Sequence, residues 1–204
     1  IAAKLLGELG ITVDAYVESI GPVSISMDRF NLEEARRNPT GMPDAEASAQ
    51  AEEYLQKCIE NQDSAGGVVC CKVHGMPAGI GEPVFDKLDA CLGQAVMSIG
   101  AVKAFAVGDG CEVSKKNGST NNDAFCNVNG QISKKTNHAG GILGGISDGS
   151  DIILRAYFKP TPSIYQKQQT VNQAGEEIEI QIKGRHDPIV VSRAVVVVEA
   201  MTAV

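Results

Sequence analysis

No Cys-x-x-Cys pair occurs among the six cysteines, Cys58, Cys70, Cys71, Cys91, Cys111 and Cys126, so the spacing that zinc ribbons and dithiol redox sites use is missing. What remains is a reading of free, mostly buried thiols in a reducing compartment. Long apolar runs are absent too. The valine run at 195–198 stops at Glu199, far short of the roughly 20 residues that span a bilayer, and no signal peptide is visible. Positive charge is scarce. A formal net charge of −7 argues against a general nucleic-acid surface and leaves any cations for an anionic ligand to be gathered locally. Lys159, Lys183, Arg185 and Arg193 are the cluster available by sequence. No internal repeat is found. With 43% hydrophobic and 21% charged residues, the chain has the composition of an ordinary folded domain, long enough for one large lobe or two small ones.

Glycine is what the chain has in concentrated form. Residues 137–149 place five glycines and the polar side chains of Asn137, His138, Ser147 and Asp148 around Ile142, Leu143 and Ile146. Each glycine costs a regular element about 0.5–1 kcal/mol relative to alanine. A run of them therefore marks either a packed turn or a loop whose bare N–H groups approach a flat or phosphorylated ligand. The strand-like run 152–158 then enters Lys159, Pro160, Thr161, Pro162, Ser163 and Ile164. Two prolines end a central strand there and stiffen a segment carrying one ammonium and two hydroxyls. That set suits a phosphate; a solvated strand exit is the plain alternative.

Elsewhere, periodicity sets the expectations. A helix ends near residue 9 at Gly10, strand dominates 11–26 with a break at Gly21 and Pro22, and a loop surrounds Pro39 and Pro43. A helix over about 45–61 places Tyr54, Leu55, Cys58 and Ile59 on one face. A buried strand follows at 68–73. A second helix over about 83–98 has Pro83 in its first turn and buries Phe85, Leu88, Leu92, Ala95, Val96 and Ile99. Glu82 and Asp86 then sit at that helix start, where negative charge is favoured. A strand spans 101–107. Residues 112–136 read as a polar loop region, free to move until a ligand binds. Residues 177–183 alternate as a half-exposed strand, and 193–204 form a final helix. This pattern is α+β, with helices on an antiparallel sheet.

Five ordered motifs carry a resemblance to the chorismate synthase family. They are the glycine segment, Lys-Pro-Thr-Pro-Ser-Ile at 159–164, and Gly-Ile-Gly-Glu-Pro-Val-Phe-Asp-Lys-Leu at 79–88. Met-Ser-Ile-Gly-Ala-Val-Lys at 97–103 and Gly-Arg-His-Asp-Pro at 184–188, followed by Arg193 and Ala194, complete the set. Family chains are longer. The resemblance implies that residues 1–204 are the C-terminal portion of such an enzyme, without the segments that carry the family's catalytic histidines. It implies a layered β-α-β sandwich, commonly a homotetramer in the cytoplasm, with no membrane or nucleic-acid partner. It also implies a reaction: reduced FMN supports a 1,4-anti elimination of phosphate from 5-enolpyruvylshikimate 3-phosphate, giving chorismate.

Site residues follow from matched positions. Gly100 and Ala101 occupy a flavin contact where Gly100 replaces the family's Asn, so that a backbone contact survives and an amide contact does not. Gly144 and Gly145 let the backbone approach FMN. Lys159, Pro160, Thr161, Pro162 and Ser163 hold the flavin's phosphate or ribityl hydroxyls, and Arg185 offers a fork of donors to an anion. Asp187 matches the family's proton-handling aspartate; without the resemblance it reads as a turn residue before Pro188. His138, His74 and His186 read as structural or peripheral. Ser192 and Val196 depart from prolines common in the family. Two other functions stay open, a non-catalytic module for FMN or another phospholigand and a structural or interaction domain.

Overall fold

The computed structural model describes residues 1–184 and 187–204. Its helices are α1 (Ala2–Glu8), α2 (Leu32–Ala35), α3 (Ala45–Glu60), α4 (Leu88–Met97), α5 (Gly118–Asn121) and α6 (Val191–Ala203). The strands are β1 (Thr12–Ile20), β2 (Val23–Ser24), β3 (Gly67–His74), β4 (Val102–Val107), β5 (Phe125–Val128), β6 (Gln131–Lys134), β7 (Ile142–Leu143), β8 (Ile146–Ser147), β9 (Ile152–Phe158), β10 (Gln168–Val171) and β11 (Glu177–Ile180). One five-stranded sheet runs β2-β1-β3-β9-β4, and β5-β6, β7-β8 and β10-β11 are separate hairpins. The chain forms two compact units. The first is Ile1–Tyr16, Val69–Tyr157 and Ala194–Val204; the second is Val17–Val68 and Phe158–Arg193.

In the first unit the core is aliphatic. Cys70, Cys71 and Val73 of β3 are buried, and β9 alternates buried Ile152, Leu154 and Ala156 with half-buried neighbours, the two-residue period of a strand. Leu92 and Val96 of α4 and Val198 of α6 complete it. Burial pushes the Cys71 thiol up to about 12, so this cysteine packs as a small hydrophobe.

The second helix starts later than its sequence pattern suggests. Residues 83–87 are not helical. Phe85 N–H bonds to Pro83 C=O at 3.1 Å across Val84 at φ 70°, and Glu82 N–H bonds to Asp86 C=O at 2.9 Å. These bonds replace a first helical turn, so Phe85 is 87% exposed. Glu82 and Asp86 therefore lie outside α4. Residues 112–136, given no element by the pattern, hold the end of a 3-10 turn (Gly110–Lys115), α5 and the β5-β6 hairpin. Asn129 and Gly130 join that hairpin with φ 54° and 87°, the positive pair a two-residue type I′ turn needs.

In the second unit α3 is set by its N-cap. Asp44 accepts from Glu46 N and Ala47 N at 3.1 and 3.2 Å, the expected capping arrangement. The same carboxylate, completely buried, takes Ser26 N at 2.9 Å and both Arg29 Nε and Nη2 at 3.0 and 2.9 Å. Burial alone would raise its pKa. The Arg29 bond and the backbone donors outweigh burial and hold it at about 2. The inner face of α3 is Ala47, Ser48, Ala51 and Cys58. Ile59, expected on that face, is 52% exposed; the buried residue of that last turn is its neighbour Cys58. The strand expected over 177–183 is shorter, at Glu177–Ile180, and exposed throughout its hairpin with β10.

Candidate functional site

The residues expected to hold a ligand fall in both units: Gly100, Ala101, Gly144 and Gly145 in the first, residues 159–163 and Asp187 in the second. Arg185 and His186 lie outside the described residues.

In the first unit, the polar side chains of the glycine segment are spent on building it. Asn137 Oδ1 accepts Gly141 N at 2.8 Å while its amide donates to Asp151 C=O at 2.8 Å. Ser147 Oγ donates to Pro77 C=O at 2.6 Å and accepts Ile80 N at 2.9 Å. Asp148 pairs with Lys134, and both are almost completely buried. His138 Nδ1 lies 2.6 Å from Asp109 Oδ2, and Asp109 also pairs with Lys116. The Lys116 ammonium, more than the His138 ring, holds the Asp109 carboxyl below its ordinary range against burial.

Asp123 is the buried anchor beneath this segment. It accepts His138 N at 2.7 Å, Ala139 N at 3.0 Å and Thr136 Oγ1 at 2.7 Å. Burial acts to raise its pKa, yet these donors and Lys134 keep it depressed. Neither Asp109, Asp123, Lys116 nor Lys134 stands out in the sequence. Their partners are 14 to 29 residues away or sit in polar stretches without periodicity.

The glycines divide accordingly. A side chain at Gly140 or Gly141 would collide with the backbone of Gly108 or Asp151, so close approach of chain to chain explains those two. Gly144 and Gly145 are the central residues of the β7-β8 hairpin, with φ 61° and 87°, a type I′ turn by its positive pair. Gly145 is closely packed, its carbonyl accepting Leu88 N at 2.8 Å, whereas a Cβ at Gly144 would meet nothing within 4 Å. The turn thus requires both glycines, and Gly144 is the one that faces open space.

Gly100 and Ala101 form the next turn along from α4, closed by Val102 N to Ile99 C=O at 3.3 Å. Ala101 takes φ 70°, a region uncommon for residues with a Cβ. Nothing lies within 4 Å of a Cβ at Gly100, so space for a larger side chain is present.

In the second unit, Pro160 packs where Gly66 has no Cβ, and Ser64 Oγ donates to Thr161 C=O at 2.7 Å. The segment's backbone is therefore fixed. Its side chains are not all used. Thr161 Oγ1 is buried with no hydrogen-bond partner, and among the described residues the exposed Lys159 has no ion-pair partner. A buried orphan hydroxyl costs about 1–3 kcal/mol unless something supplies a partner. Ser163 and Asp187 come together in a cleft of about 90 Å³ that also includes Ser64, Tyr165 and Pro188. Asp187 is ion-paired with Arg193. This cleft is smaller than the roughly 300 Å³ at which small-molecule sites begin, so it has no room for a flavin ring. A buried unpartnered hydroxyl and an unpaired ammonium do fit the phosphate or hydroxylated chain of such a cofactor. Among the described residues no group of three or more His, Cys, Asp or Glu side chains could hold a metal ion, and no helix is long and apolar enough to cross a membrane.

Comparison with known proteins covers the same residues. The family described as chorismate synthase matches residues 1–204. The chorismate synthase of Lachnoclostridium phytofermentans is 61% identical over 204 residues, covering 100% of this chain and 56% of that protein. That of Agathobacter rectalis is 55% identical over the same coverage. A crystal structure of a chorismate synthase superposes with a TM-score of 0.80 at 27% identity, over 99% of this chain and 57% of the other. The chain thus spans a little over half the length of the curated relatives it matches. The α+β fold expected from the sequence is the one these structures share.

Proposed function

This chain belongs to the chorismate synthase family, and from that premise we propose that the protein containing it converts 5-enolpyruvylshikimate 3-phosphate to chorismate. The reaction is a 1,4-anti elimination of phosphate that depends on reduced FMN. The observation that carries this reading is the match of the family over all 204 residues. Locally it is supported by Thr161, a buried hydroxyl with no partner inside the sequence segment expected to meet the cofactor.

The carbon–hydrogen bond broken is too weakly acidic for an ordinary protein base, and reduced flavin, when bound, would supply the electron density that such a bond-breaking needs. The chain's own residues bind and orient. Lys159 and the hydroxyls of Thr161 and Ser163 hold an anionic or hydroxylated group on a backbone stiffened by Pro160 and Pro162. The turns at Gly100 with Ala101 and at Gly144 with Gly145 bring bare backbone to the cofactor, and Arg185 offers donors to an anion. Asp187, kept in place by its ion pair with Arg193, is the proton-handling group.

The protein assembles as a cytoplasmic homotetramer, and the 204-residue chain alone binds cofactor without turnover. The chain covers only 56% of its relatives' length, which favours this second statement. The test is anaerobic chorismate formation by the full-length protein with reduced FMN, beside FMN titration of the 204-residue chain. An inactive full-length protein would sink the assignment. Turnover by the short chain would refute its non-catalytic reading, and a sedimentation mass other than a tetramer would refute the assembly.

A further inference from the structure

Lys87 occupies the N-cap of α4 and makes no capping hydrogen bond with its side chain. A cation there faces the positive end of the helix dipole, so it opposes rather than supports the helix. Nor does an acid compensate it: among the described residues its ammonium has no ion-pair or hydrogen-bond partner. Its stem is nevertheless fixed. A Cβ built on Gly145 would collide with the Cβ, Cγ and Cδ of Lys87, which means that the aliphatic part lies directly across the hairpin turn.

The turn beneath it is equally unspent. Gly144 and Gly145 have φ 61° and 87°, and neither N–H donates a hydrogen bond among the described residues. Space above Gly144 is open to 4 Å. The turn is itself rigid, because Ser147 N and Leu88 N bond to Ile80 C=O and Gly145 C=O, both at 2.8 Å. The free N–H of the exposed Gly144 and one unpaired ammonium anchored on the same turn are complementary to an oxyanion.

We propose that Lys87 is a binding residue for an anionic group, phosphate or carboxylate, of the ligand seated on the turn of Gly144 and Gly145. The inference rests on the reading of that turn as part of the cofactor and substrate site. It adds to that site a charge that the sequence motifs assign no role.

The test uses the full-length protein and its Lys87→Met and Lys87→Arg variants. FMN, riboflavin and 5-enolpyruvylshikimate 3-phosphate are titrated, and the melting temperature is measured without ligand. Lys87→Met is expected to weaken an anionic ligand by roughly 10-fold or more, with Lys87→Arg recovering most of it. Its ligand-free melting temperature should be unchanged or higher, since an ill-placed N-cap cation has gone. A loss for FMN that riboflavin does not share assigns the cofactor phosphate, and a loss confined to 5-enolpyruvylshikimate 3-phosphate assigns the substrate. Unchanged affinity for all three ligands overturns the proposal. If the unaltered protein binds none of them, the proposed function fails separately, and inorganic phosphate becomes the probe. Thermal protection by phosphate that Lys87→Met loses would still support the anion site; equal protection, or none, in both proteins would refute it.

Discussion

A single buried carboxylate, Asp123, shapes the segment that the sequence advertises by its glycines. It takes two consecutive backbone N–H groups, from His138 and Ala139, and the Thr136 hydroxyl. Replacing it by alanine strands those donors in a buried setting and is expected to cost about 3 kcal/mol. Asp123→Asn keeps one accepting oxygen and should cost less, about 1 kcal/mol. Denaturant midpoints of the two variants check the order; equal losses would mean that charge, not acceptor count, holds the segment. Gly100 offers the opposite case. Its open Cβ position and its place outside the positive-φ glycines make Gly100→Asn tolerable, with a gain of about 0.5–1 kcal/mol from the reduced freedom of the unfolded chain. The same variant restores a side-chain amide at the proposed flavin contact, so on that proposal it should bind FMN more tightly as well as melt higher. Higher stability without tighter binding would confine that contact to backbone.

At the scale of elements, the β7-β8 hairpin separates two kinds of glycine requirement. Gly144→Ala forces a Cβ into φ 61° with no neighbour to strike, and should cost about 1 kcal/mol. Gly145→Ala adds a collision with Lys87 to the same conformational cost and should lose about 2–3 kcal/mol; chemical denaturation of the pair measures the difference. The hairpin also shows where legibility ended. Helices α3 and α6 and strand β9 are legible because burial imposes a period of 3.6 or 2 on their side chains. The start of α4 differs from its sequence pattern because Pro83 and the Glu82 and Asp86 spacing mimic a helix entry, while the carbonyl that receives Leu88 N belongs to Gly145, 57 residues on in the chain. The β5-β6 hairpin carried a visible Asn129 and Gly130 turn signal. Its strands, exposed along most of their length, gave no alternation to go with it. The segment proposed to meet the cofactor, 159–163, is singled out by its residue types, whereas the anchors Asp109 and Asp123 are not, since a contact across many residues leaves no local spacing.

For the molecule as a whole, acid is the condition under which these anchors act together. The chain carries a formal charge of −7, yet five of its carboxylates are held below their ordinary range, the exposed Glu53 beside Lys57 and four aspartates. Asp44 sits at about 2, and Asp109, Asp123 and Asp148 are shifted in the same direction. A carboxyl depressed on folding binds its proton more weakly in the folded than in the unfolded chain. Its stabilising share is complete above the unfolded value, 3.8 for aspartate, and is lost as pH falls through the lower folded value. Stability should therefore be flat above about pH 5 and decline below it, with Asp44 giving up its share last, approaching pH 2. Asp44→Asn preserves the shape of the α3 cap but removes the titration. Its stability curve should lie below that of the unaltered protein at pH 6 and converge with it near pH 2. Urea unfolding followed from pH 2 to 7 tests this. Parallel curves across the whole range would show that the cap's stability owes nothing to the proton that Asp44 refuses.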